Sequence, residues 1–98
     1  MYIRGISVWY TNRNSIDQVL RSWTSIGANY YEANWASSKK YFRNKIYICK
    51  KEAKETVYWL ELLLSISQYP LSNLKKLLDE SKEIMCIFNK IAQKVKTY

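Results

Sequence analysis

Histidine is absent from the chain. Its absence removes the imidazole base of Ser-His-Asp and Cys-His nucleophile systems, His-containing zinc sites and imidazole proton transfer. Cysteine occurs only at Cys49 and Cys86, too few for a disulfide framework or a four-thiolate metal site. Glycine is confined to Gly5 and Gly27 and proline to Pro70, so turns are scarce and the elements must be few and long. Long apolar runs are missing too: the most apolar stretch, Val57–Ile66, is interrupted by Glu61 and Ser65. It falls well short of the roughly 20 residues a membrane span requires. Met1–Tyr10 carries one Arg and no signal-peptide core, and no Asn-x-Ser/Thr sequon follows. These absences argue against an enzyme, a cofactor site and a membrane protein, and make a soluble cytoplasmic protein the expectation.

What is present fits one small domain spanning residues 1–98, with 48% apolar residues to fill a core. From Phe42 the sequence runs Ile46, Cys49, Ala53, Thr56, Leu60, Leu63 in alternating steps of four and three. After Pro70 the rhythm resumes as Leu71, Leu74, Leu78, Ser81, Met85, Phe88, Ala92, Val95. A third segment repeats it: Ile16, Val19, Leu20, Trp23, Ile26, Tyr30, Ala33. This is the spacing of a helix face, not of a strand. Ser15 stands as an N-cap for the first, Ser37 or Ser38 for the second, and Gln68-Tyr69-Pro70 closes the second. The spacing therefore predicts an all-α antiparallel helical bundle with helices over about 16–35, 38–67 and 71–96. Met1–Asn14 is expected to be a short or irregular segment with a polar turn at Thr11–Asn14.

Charge is lopsided, at a formal +8. Residues 39–54 hold Lys39, Lys40, Arg43, Lys45, Lys50, Lys51 and Lys54 against the single acid Glu52. At about 100° per residue, Lys40, Arg43, Tyr47, Lys50, Lys51, Lys54 and Tyr58 fall near one line opposite the apolar seam. Such a stripe could track a phosphate backbone, with tyrosines offering surface for unpaired bases. It could equally be a solvated face that keeps a small domain in solution. No base-reading motif accompanies it, so any nucleic-acid contact is expected to be independent of sequence.

Other polar features read as structural. Glu52 projects into the apolar arc, where a charge must be paired or sit at an interface. A helix–helix or subunit contact is expected for it, with Lys45 as one candidate partner. Glu52, Glu55 and Glu32 could resemble the carboxylates of a bundle metal site, but such sites normally use Glu-x-x-His pairs. Cys49 falls on the core face, while Cys86 flanks the last seam. Four tryptophans and nine tyrosines exceed what three helices can bury, so Tyr31, Trp35, Tyr41 and Trp59 point to a partner surface.

The run Leu20-Arg21-Ser22-Trp23-Thr24-Ser25-Ile26-Gly27-Ala28-Asn29 resembles the LRSGTSIGAN segment of the four-helix-bundle proteins encoded in intervening sequences of 23S ribosomal RNA. The similarity continues through Glu32-Ala33, Ser38-Lys39-Lys40-Tyr41-Phe42 and Lys51-Glu52-Ala53-Lys54-Glu55-Thr56-Val57-Tyr58-Trp59-Leu60 to the Glu83-Ile84 and Lys90 region. The resemblance implies an antiparallel bundle assembled as a homo-oligomer, commonly a pentamer, and no catalytic residues. A related branch serves as an accessory protein to a retroelement reverse transcriptase. Arg21, Ser25, Gly27, Asn29, Glu32, Glu52, Glu55 and Trp59 match the family pattern. Gly27 is expected to allow close helix approach, with Arg21, Ser25, Asn29 and Glu32 on one polar face. Two departures stand out: a first helix shorter than the family's, and Trp23 where a small residue is usual. The resulting expectation is a non-enzymatic oligomer that binds RNA through Lys39, Lys40, Arg43, Tyr47, Lys50, Lys51 and Lys54. The alternatives are a protein-interaction module or a truncated relative without a defined role.

Overall fold

Between Gly5 and Gly27 no residue forbids helical backbone angles, and the computed structural model carries α1 without a break over Tyr2–Asn34. The structure describes the backbone of residues 2–66 and 72–98 and the side chains of residues 12–66 and 72–98. Helix α2 spans Lys39–Ile66 and α3 spans Ser72–Val95. No strand occurs among the described residues.

The first helix corrects the expectation of an irregular start. Thr11–Asn14 are polar but compatible with a helix, and extending an existing helix costs far less than starting one. Serine and asparagine favour caps only where a helix has to begin. Ser15, expected as an N-cap, lies inside α1 and is fully buried. The second start agrees with expectation: Ser38 Oγ accepts the backbone N–H of Tyr41 at 3.1 Å, capping α2. The expected closure at Gln68-Tyr69-Pro70 lies outside the described residues.

A short connection over residues 35–38 turns the chain back on itself, with Trp35 N–H and Ala36 N–H donating to the carbonyls of Glu32 and Ala33. The contacts run in opposite order along the two helices: Arg21 meets Glu52 and Glu55, Ile26 meets Cys49, and Glu32 meets Lys45. Helices α1 and α2 are therefore antiparallel. So are α2 and α3, since Ile46, Cys49 and Ala53 pack with Phe88, Ala92 and Val95 while Val57, Leu60 and Leu63 pack with Leu78. Helix α2 lies between the other two, giving an elongated body of 55 × 20 × 17 Å.

The seams of α2 and α3 face inward as their spacing predicts. Ile46, Cys49, Ala53, Thr56, Leu60 and Leu63 are buried, and so are Leu78, Ser81, Phe88, Ala92 and Val95. Helix α1 is rotated from its expected position. Its inward residues are Ser15, Ser22 and Ala33, with Val19 and Ile26 partly buried beside them. Ile16 and Leu20, expected on the seam, are 48% and 60% exposed. Polar pairing between α1 and α2 fixes this rotation.

Candidate nucleic-acid interface

The face of α2 that meets α1 carries polar side chains in register. Arg21 reaches across with its guanidinium, one N–H donating to Glu52 at 3.1 Å and another to Glu55 at 2.7 Å. Both carboxylates hold the Arg21 pKa above its usual value, Glu55 most strongly through its hydrogen bond. Ser22 Oγ and Thr56 Oγ1 share a buried hydrogen bond of 2.7 Å. One end of the seam is tied by Lys45 to Glu32, which raises the lysine pKa. Glu52 is buried as its position in the apolar arc required, and it makes a helix–helix contact. The Glu52–Lys45 pair does not form, because each residue finds its partner across the interface on α1.

The residues matching the family pattern largely gather here. Arg21, Glu52 and Glu55 form one cluster, Glu32 takes Lys45, and Asn29 Nδ2 donates to the Ser25 carbonyl at 2.9 Å and to its hydroxyl at 3.2 Å. The Arg21 guanidinium bridges the Glu52 and Glu55 carboxylates that suggested a metal site. No group of three or more His, Cys, Asp or Glu among the described residues is arranged to hold a metal ion. Gly27 departs from its expected role: it is exposed, and a Cβ there would meet nothing within 4 Å. Trp59 is half-buried, its ring edge-on to Tyr58 at 5.0 Å. Cys49 is buried, its thiol donating to the Ile26 carbonyl at 3.6 Å. Burial pushes its pKa to about 11, which makes it a poor nucleophile.

On the outer face of α2 the basic stripe stands clear. Lys40, Lys50, Lys51 and Lys54 are exposed, Tyr47 is exposed between them and Tyr58 beyond them, and none of these lysines has an acid partner among the described residues. From Lys40 to Tyr58 the stripe runs about 27 Å, at about 1.5 Å per residue. Two members of the expected set also contact Tyr98. Arg43 turns toward the chain end and donates to the Tyr98 carbonyl at 2.8 Å, and the Lys39 ammonium lies 5.4 Å from the Tyr98 ring centre. Just past the end of α3, Lys96 lines a shallow groove with Tyr47, Lys50 and Gln93. By sequence, Lys96 is simply one of the cations that suit a helix C-terminus. Only the antiparallel return of α3 places it beside Lys50.

A second feature sits at the α1–α2 turn. Tyr31, Glu32, Trp35, Ser37 and Tyr41 line an open cleft. Tyr31 and Trp35 are 66% and 76% exposed, with ring centres 6.4 Å apart and planes tilted by 49°. The Lys45 ammonium rests 5.3 Å from the Tyr41 ring centre.

Fold and surface together define a small antiparallel helical protein with one basic flank. The family model described as 23S rRNA-intervening sequence protein matches residues 10–90, and the chain belongs to that family. Among solved structures it is similar to a protein of unknown function from the S23 ribosomal protein family of Bacteroides thetaiotaomicron VPI-5482. The two share 36% sequence identity over 92% of this chain and 89% of that one, with a TM-score of 0.74. No curated protein matches the chain. Among the described residues no helix is long and apolar enough to cross a membrane.

Proposed function

We propose that this protein is a non-enzymatic, self-associating helical bundle that binds RNA without reading its sequence, through the outer face of α2. The observation carrying this reading is the row Lys40, Lys50, Lys51 and Lys54, unneutralised by any acid among the described residues and joined by Lys96 across the groove. Like charges repel along a helix, so such a row costs stability unless a polyanion meets it. Phosphates would release counterions on binding, giving an affinity that rises steeply as salt falls. Self-association is supported by Ile16 and Leu20, which lie exposed along α1 on a face turned away from its own core.

The test is RNA binding measured across salt. Changing Lys50, Lys51 and Lys54 together to Gln is expected to weaken binding to all RNAs alike. The slope of log affinity against log salt should flatten by about 0.7 for each phosphate of a single strand that is no longer neutralised. These side chains are exposed, so the variant should fold as the parent does. Parent-like affinity and slope in the triple variant would end the proposal and leave the stripe a solvated face.

A further inference from the structure

We propose that the cleft at the α1–α2 turn is a stacking site for an unpaired nucleobase, which makes single-stranded RNA the preferred partner. This inference rests on the RNA reading above and adds a site that the basic stripe does not contain. Trp35 and Tyr31 are the two most exposed large apolar side chains among the described residues. Their rings are tilted rather than stacked on each other, so neither consumes the other's face. The third ring, Tyr41, is held in place because Lys45 rests over it while bound to Glu32. A cation–π contact of this kind at an exposed site contributes about 0.5–1 kcal/mol toward that placement.

Charge complementarity selects the occupant. Tyr41 follows Lys40 in the first turn of α2, about 100° further round the helix, so the aromatic cleft lies beside the start of the stripe at the same end of the molecule. A strand whose phosphates run along Lys54, Lys51 and Lys40 would bring its next bases to Trp35 and Tyr31. Bases inside a duplex are already stacked and present no free face, whereas unpaired bases do. Stacking reads no base edge, in keeping with the lack of a base-reading motif.

The experiment measures binding of an oligoadenylate of about ten nucleotides, within the usual site size for single strands, against a duplex RNA of equal phosphate number. The parent should prefer the single strand and show quenched tryptophan fluorescence on binding it. The Tyr31→Ala/Trp35→Ala variant should lose about tenfold in affinity for the oligoadenylate and retain its duplex affinity. The Lys50/Lys51/Lys54→Gln variant should lose both. Three results would overturn the inference: no single-strand preference in the parent, parent-like oligoadenylate binding by the aromatic variant, or a changed oligomer mass in that variant with RNA affinity intact. The last would assign the cleft to a protein contact. If only the lysine variant binds as the parent does, the stripe reading fails while the stacking site stands.

Discussion

The α1–α2 and α2–α3 interfaces are built from different chemistry. Between α2 and α3 the contact is apolar, with Leu60, Leu63 and Leu78 at one end and Ile46, Phe88, Ala92 and Val95 at the other. Between α1 and α2 it is threaded with Arg21–Glu52, Arg21–Glu55, Ser22–Thr56 and Lys45–Glu32. Apolar burial is strong but tolerant of rotation and sliding. Paired polar groups contribute less net energy, but a wrong register would leave the buried Glu52, Ser22 and Thr56 unmatched. The apolar seam therefore supplies most of the cohesion, and the polar seam selects the rotation of α1.

The largest expected effect lies in the apolar seam. Leu60→Ala removes a side chain that is 1% exposed and should cost about 2–5 kcal/mol in denaturant unfolding at fixed protein concentration. A cost near zero would mean that α3 is not packed on α2 as described. Next comes the polar seam, where Arg21→Gln leaves the buried Glu52 carboxylate without its cation. Melting temperature should fall, by less than in Leu60→Ala, and Glu52→Gln added to the same chain should recover part of the loss. Strictly additive single and double variants would show that the pair does not couple the helices.

The smallest effect concerns Cys49, where the two seams meet. Its thiol ionises near 9.0 in the unfolded chain and near 11 in the native one, because burial disfavours the thiolate. The native state therefore holds the proton more firmly, and this contribution is complete below pH 9 and fades as pH rises toward 11. Cys49→Ala should lose less melting temperature than the parent across that interval. Equal losses would show that Cys49 is not desolvated. A thiol reagent should label the exposed Cys86 in the native protein and spare Cys49 until unfolding.

How much of this is legible in sequence differs between elements. The seams of α2 and α3 can be read directly because leucine, isoleucine and phenylalanine recur there at helical spacing with little competition. Helix α1 cannot be read the same way. Its Ile16 and Leu20 advertise a seam, yet Ser15 and Ser22 share the inward face with the expected Val19, Ile26 and Ala33. Periodicity weighs only apolarity, while Ser22 is drawn inward by the Thr56 hydroxyl and Arg21 by two carboxylates on another helix. The basic stripe is visible in outline, but its membership is not. Arg43 hydrogen-bonds the Tyr98 carbonyl, Lys39 stays exposed beside the Tyr98 ring, and Lys96 joins from just past the end of α3, nearly fifty residues away in sequence.

The amino-acid order by itself determined that the chain is helical, that its helices are long, that α2 and α3 meet along leucine-rich faces, and that positive charge concentrates early in α2. These are local properties, set by spacing within one helix and by the scarcity of breakers. Tertiary structure alone decided how α1 is turned, which cations remain available to a partner, and that Tyr31, Trp35 and Tyr41 come together around one cleft. Those outcomes depend on groups meeting across helices, where a hydrogen bond or ion pair between distant residues outweighs what each helix would choose alone.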